Sequence, residues 1–231
     1  MRYLVVIPAR GGSKGIPHKN IYRIAGKPLL VYAIESMSGV EYEGDLVVST
    51  DDDEIAEVAS KYNNVIVINR PADISHDTAK TEDALIHALK YMEEKYDKKY
   101  DAVVTLQPTS PLRENRTIQD FLRVYERDIQ KYDALLTLSE DRSDFWIQKP
   151  DGSYGRLFPD APRRRQERKP LYVENSAIYV TSRESLLECN SVLGKRVNGY
   201  VIDAVEGVDI NEFTDIALAE SLLCQKKRDN M

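Results

Sequence analysis

Arg10, Ser13, Lys14 and Lys19 stand among Gly11, Gly12 and Gly15, directly after the apolar run Tyr3-Leu4-Val5-Val6-Ile7. Glycines let backbone N–H groups come close to a ligand and permit positive φ. Clustered N–H donors and cations in such a loop suit a polyphosphate. Nucleotide chemistry is therefore the first hypothesis. The spacing is neither the Gly-x-x-x-x-Gly-Lys-Ser/Thr of a Walker A loop nor the Gly-x-Gly-x-x-Gly of a dinucleotide site. The alternative is a basic surface loop whose glycines serve only to turn the chain.

Four further segments carry chemistry-bearing side chains. Arg70-Pro71-Ala72-Asp73 is followed by Asp77-Thr78-Ala79-Lys80-Thr81, where Thr78 or Thr81 either caps a helix or donates to a ribose or base. Gln107-Pro108-Thr109-Ser110-Pro111-Leu112-Arg113 is a proline-stiffened polar loop. Arg163-Arg164-Arg165-Gln166 is either a solvated charge run or an arginine fork for a carboxylate or phosphate. In Asp209-Ile210-Asn211, Asp209 suits a divalent cation, and Asn211 suits either that cation or a helix cap. Asp51-Asp52-Asp53-Glu54 also looks metal-like, but acids just before Ile55 and Ala56 fit the positive end of a helix.

The elements that must position these groups alternate. Short apolar runs at 4–7, 46–49, 65–68, 103–106 and 134–138 read as strands. Between them, Ile55, Val58, Ala59 and Tyr62 share a helical face. So do Leu85, Ala88, Leu89, Met92 and Tyr96, and again Ile118, Phe121, Leu122, Tyr125 and Ile129. Repeated strand–helix–strand units predict an α/β, Rossmann-like three-layer α/β/α fold with a mostly parallel sheet. Right-handed crossovers then gather the strand-end loops along one edge. Residues 140–170 break the alternation with four prolines and with Phe145, Trp146, Tyr154, Leu157 and Phe158. They read as an extended arm packed on a second subunit or on its own domain. A strand-like run at 171–181 and a helix at about 213–224 close the chain.

Bulk properties exclude several classes. A net charge of −6 disfavours nucleic acid as a partner. Cys189 and Cys224 form no metal or disulfide pattern, and His18, His76 and His87 are scattered. No apolar run approaches membrane-spanning length, and no leader design opens the chain, so a cytoplasmic protein without a membrane partner is expected. The 231 residues fit one domain, with 140–170 as an inserted arm.

In order, the segments resemble the acylneuraminate cytidylyltransferases, also called CMP-sialic acid synthetases, over nearly the whole chain. The matching stretches are 9–20, Ser49-Thr50-Asp51, Arg70-Pro71, 106–111, Arg164-Arg165-Gln166, Glu174-Asn175-Ser176-Ala177-Ile178-Tyr179 and Val208-Asp209-Ile210. The resemblance implies transfer of CMP from CTP to a nonulosonic acid, with release of pyrophosphate. It implies Mg2+ (or Mn2+) as cofactor and a homodimer built through the arm. It places Ala9, Arg10, Gly12, Ser13, Lys14, Lys19, Asn20, Arg70 and Thr81 at the nucleotide. Gln107, Arg165, Gln166, Asn175 and Tyr179 fall at the sugar, and Asp209 and Asn211 at the metal. Arg10, Lys19 and Asp209 are the implied catalytic groups. Two departures stand out: Asn211 replaces an aspartate common in the family, and Ser176 replaces a glycine. The implied acceptor is N-acetylneuraminate, KDN, legionaminate or pseudaminate. The competing readings are a CMP-KDO-type or other sugar nucleotidyltransferase, and a nucleotide-binding subunit that has lost catalysis.

Overall fold

An apolar strand without polar alternation must be covered on both faces, and β1 (Arg2–Pro8) is. In this computed structural model, which describes residues 1–13 and 15–229, the elements run in chain order. After β1 come a short hairpin β2 (Arg23–Ile24) and β3 (Lys27–Pro28), then α1 (Leu29–Glu35), β4 (Glu43–Thr50), α2 (Asp53–Ala59), β5 (Val65–Asn69) and α3 (Thr81–Tyr96). The chain continues through β6 (Ala102–Leu106), α4 (Asn115–Asp128), β7 (Ala134–Asp141), a second hairpin β8 (Trp146–Gln148) and β9 (Tyr154–Arg156), and β10 (Leu171–Ser182). It ends with α5 (Arg183–Cys189), β11 (Val197–Val201) and α6 (Phe213–Asp229).

The seven-stranded sheet has the order β11-β7-β10-β6-β1-β4-β5. Strand β10 runs antiparallel to β6 and β7, and every other neighbouring pair is parallel. Alternation along β1 builds the layers. Tyr3, Val5 and Ile7 pack with α1, α2 and α4 through Ile34, Ile55 and Phe121. Leu4 and Val6 face the other way, onto Leu85, Leu89 and Met92 of α3 and Leu186 of α5. The expected three-layer α/β/α architecture and all five parallel-run strands are present. The sequence did not mark β11, whose Asn198 and Gly199 interrupt a short apolar run, or α5.

Residues 142–170 leave the sheet as an arm carrying the β8–β9 hairpin. Asp144 ties it together through ion pairs to Arg156 and Arg168. Trp146, Tyr154 and Phe158 remain exposed. The arm therefore does not bury these rings against its own domain. No helix among the described residues is long and apolar enough to cross a membrane.

Candidate active site

Strand order reverses at β1: β4 lies on one side of it and β6 on the other. Crossing connections leave a crevice at the carboxyl ends there. A cleft of about 260 Å3 opens at that point. Pro8, Arg10, Gly12, Ser13, Lys19 and Asn20 line it from the first loop, Arg70 and Ile74 from the end of β5, Asp77 to Thr81 (all but Thr78) from the start of α3, and Gln107 to Thr109 from the end of β6. Arg10, Lys19, Arg70 and Lys80 supply positive charge, against one carboxylate from Asp77.

Close backbone contacts set the first loop. The Gly11 N–H donates to Asp51 Oδ1 at 3.0 Å, and a Cβ on Gly11 would stand 2.6 Å from Asp52 Oδ2. Neither Gly11 nor Gly12 adopts a positive φ, so close approach is what Gly11 is needed for. Asp52 in turn caps α2, accepting from the N–H groups of Glu54 and Ile55. The acidic run is thus a helix start, and Asp51 has the further task of holding the loop. His18, at φ 50, turns the chain into a 3-10 turn that begins with Lys19. The Lys19 ammonium donates to the Ile210 carbonyl at 3.0 Å. Burial pushes its pKa below the ordinary lysine value; Asp209 opposes this shift and Arg10 adds to it.

A small apolar cluster binds this loop to the segment that carries Asp209. Ile16, Ile24 and Leu29 pack with Ile210, Ile216 and Ala219, all buried. A Cβ on Gly15 would meet the Asn211 carbonyl oxygen at 2.5 Å. Burying an isoleucine fully stabilises by about 1.5–3 kcal/mol. Ile16 and Ile210 therefore fix the loop and the 209–211 turn as one unit. Within that turn, Asn211 Nδ2 donates to Asp209 Oδ2 at 2.7 Å, while the buried Asp209 Oδ1 has no hydrogen-bond partner. Asn211 does not cap α6. Its N–H and that of Glu212 donate to Asp215.

The remaining expected residues divide sharply. Arg70 is buried and anchored on Ser49 through Oγ and the carbonyl. Asn20 donates to the Arg10 carbonyl at 2.8 Å and so braces the loop it faces. Thr81 lines the cleft in the first turn of α3 and does not cap it; the N–H of Lys80, the residue ahead of that helix, donates to Asp83. Ala9 is fully buried, and its N–H donates to the Ser49 carbonyl, so its side chain and N–H are committed to the core. Lys14 lies outside the described residues.

On the sugar side only Gln107 lines the cleft. The Asn175 amide is satisfied by Thr137, Ser139 and the Ala177 N–H. The Tyr179 hydroxyl donates to Glu174, and the Ser176 hydroxyl lies 3.0 Å from the same oxygen. Asn175 lies within, and Tyr179 at the end of, a register slip in β10, where Ser176 takes φ 60, the left-handed conformation a glycine favours. Arg165 and Gln166 are exposed in a 3-10 turn on the arm, outside the cleft. Asp77 and Lys80 are site residues the sequence reading passed over. Arg10 pairs with Asp77 at 3.3 Å and donates to the His76 carbonyl. Their signal was the charge in the stretch just before α3.

Similarity to known proteins agrees with this geometry. A family model described as Cytidylyltransferase matches residues 4–208. The chain is 30% identical over 227 residues to the CMP-N,N'-diacetyllegionaminic acid synthase of Legionella pneumophila, covering 96% of this chain and 97% of that protein. It is 28% identical to the N-acylneuraminate cytidylyltransferase of Escherichia coli, all of this chain matching 54% of that longer protein. The fold matches a solved CMP:2-keto-3-deoxy-manno-octonic acid synthetase complexed with CTP with a TM-score of 0.68 at 18% identity, covering 98% of this chain and 100% of that one. With this cleft at the switch point of such a sheet, the chain belongs to the cytidylyltransferase family.

Proposed function

We propose that the chain transfers CMP from CTP to a nonulosonic acid and releases pyrophosphate. The observation that carries this reading is the meeting of Arg10, Ser13, Lys19, Arg70 and Gln107 in one cleft, from segments that lie far apart in sequence. The likeness to relatives named for sialic and legionaminic acids supports the acceptor class.

In the reaction the sugar's C2 hydroxyl attacks the α-phosphorus of CTP. A new C–O–P linkage forms, the bond to the β-phosphate's bridging oxygen breaks, and the hydroxyl proton leaves to solvent or base. Such transfer needs in-line positioning and charge neutralisation more than covalent help. Arg10 and Lys19 hold the outer phosphates and stabilise the charge that grows on departing pyrophosphate. Arg70 and Thr81 face the nucleoside, and Gln107 faces the acceptor. Asn175 and Tyr179 stiffen the acceptor wall rather than touch the sugar.

The residues present suit Mg2+ or Mn2+. Asp209 offers a buried carboxylate oxygen without a partner, and Asn211 a neutral side-chain oxygen beside it. Neither residue lines the cleft itself; they adjoin it at Ile210, whose carbonyl accepts from Lys19, and an ion held there would offset phosphate charge. Because Asn211 carries no charge, a single ion suits this pair better than two.

We read residues 1–231 as one catalytic domain, acting in the cytoplasm where CTP is made. The arm's exposed Trp146, Tyr154 and Phe158 support its use as a homodimer contact. The test is pyrophosphate release with CTP against a panel of N-acetylneuraminate, KDN, legionaminate, pseudaminate and KDO. Release with one of the first four supports the reading. Release with KDO alone moves the enzyme to the KDO class. CTP binding without release from any acceptor makes it a decayed subunit.

A further inference from the structure

Arg113 closes the Gln107 loop but does not line the cleft, and no role described so far uses it. Only 5% of its surface is exposed. One nitrogen, Nη1, donates to the Gln107 carbonyl at 3.2 Å and to the Ala177 carbonyl at 2.6 Å. Its Nε reaches Ser36 Oγ at 3.4 Å, and its buried Nη2 has no partner. Burial disfavours the charge, and the Glu206 carboxylate opposes that penalty. Glu206 is itself nearly buried, accepting from the Glu114 N–H and the Thr117 hydroxyl, both at 2.9 Å. Next to it, Gly207 packs so close to β7 and β10 that a Cβ would stand 2.4 Å from Ser139 Oγ and 3.0 Å from Asn175 Nδ2.

A buried guanidinium with an unsatisfied nitrogen is costly to the fold. Here it joins three segments that no single element connects: the Gln107 loop, the slipped register of β10, and Ser36 at the end of α1, while Glu206 fixes the next residue through the Glu114 N–H. We propose that Arg113, whose chain neighbour Glu114 is anchored on Glu206, is a positioning residue that sets the spacing between the Gln107 loop and β10, and thereby the fit of the acceptor sugar. The inference rests on the acceptor-side role proposed for Gln107. The nucleotide side is built from other direct contacts, on Ser49, Asp51 and Ile210, none of them made to Arg113.

The test measures Michaelis constants for CTP and for the best acceptor, kcat, and Tm, in wild type, Arg113→Lys and Glu206→Gln. Lysine keeps the charge, but its side chain ends one bond short of Nη1 and has no Nε to reach Ser36. Loss of one buried hydrogen bond predicts an acceptor KM raised about tenfold in Arg113→Lys, with the CTP KM held within about twofold. Glu206→Gln, which keeps the shape and one acceptor oxygen, should move the acceptor KM in the same direction by less. Equal shifts in both constants, or a folded Arg113→Lys with an unchanged acceptor KM, overturn the proposal. If Arg113→Lys does not fold, a folded Glu206→Gln with wild-type acceptor KM overturns it. A wild-type enzyme inactive with every nonulosonic acid is a different result: it removes the proposed function, and the role of Arg113 with it.

Discussion

The two ends of the central sheet are built on opposite principles. At the amino ends of the strands, charges are matched. Asp45 accepts from Lys98 at 2.6 and 2.8 Å and from Tyr100 at 2.7 Å. Arg183 makes a two-point contact with Glu93, and the Arg2 N–H donates to Asp101. At the carboxyl ends, cations crowd together. Arg10, Lys19, Arg70 and Lys80 share a cleft with one acid, and the buried atoms Ser110 Oγ, Arg113 Nη2 and Asp209 Oδ1 have no partner. Arg2 Nε is the exception, an unpartnered atom at the amino end. Apart from that atom, the charges named at the amino end are matched within the chain. The other end holds positive charge in excess, as a site for a polyanion requires.

That contrast can be broken first at Lys19. Lys19→Ala should lower kcat by about 100- to 1,000-fold, the usual cost of losing one group aimed at developing negative charge. Steady-state pyrophosphate release checks it, and a rate near wild type would deny Lys19 its role. Asp209→Ala should raise the magnesium needed for half-maximal rate by about tenfold, and should weaken magnesium binding measured by calorimetry in the presence of CTP. An unchanged titration removes Asp209 from the metal. Gly15→Ala forces a Cβ against the Asn211 carbonyl. It should lower kcat/KM for CTP by about tenfold, through misplacement of the loop alone.

The smallest effect belongs to the matched end. Burial works against the charge of Asp45, but hydrogen bonds from Lys98 and Tyr100 outweigh it and hold the carboxyl below the ordinary aspartate pKa. The Arg183 contact does the same for Glu93. A depressed folded-state pKa contributes stability that is present above the unfolded value, near 4, and is lost as pH falls through the folded value. Asp45→Asn should therefore flatten the acid limb of a stability–pH curve. It should cost about 1–3 kcal/mol in urea unfolding at pH 7, with kcat unchanged. A steep acid limb retained in the variant would show that Asp45 is not what the low pH protonates.

The sequence showed more of the matched frame than of the cleft. Periodicity found the buried strands because β1 and β6 are apolar on both faces, and it found α3 and α4 because one face of each is apolar. The glycine-rich loop pointed to a polyphosphate but left a basic surface loop as the alternative; the structure places its Arg10, Gly12, Ser13 and Lys19 in the cleft. Gly11 and Gly15, however, are glycines because Asp52 and Asn211 press on them, and those contacts span 41 and 196 residues. Asn175 stood out as a ligand group, yet its amide serves Thr137 and Ser139, reached only through the slipped register of β10. Arg113 looked like the end of a loop because its partners Ala177 and Ser36 come from remote chain. Pairings set by sheet order, rather than by local pattern, are what sequence alone left hidden.

The most direct test of the central claim is phosphorus NMR of the reaction of CTP, magnesium and the best acceptor with wild type and with Lys19→Ala. The account predicts a new phosphodiester resonance for the CMP-sugar, growing with pyrophosphate one for one in wild type and nearly absent in the variant. Pyrophosphate without a phosphodiester, or equal product from both proteins, would contradict it.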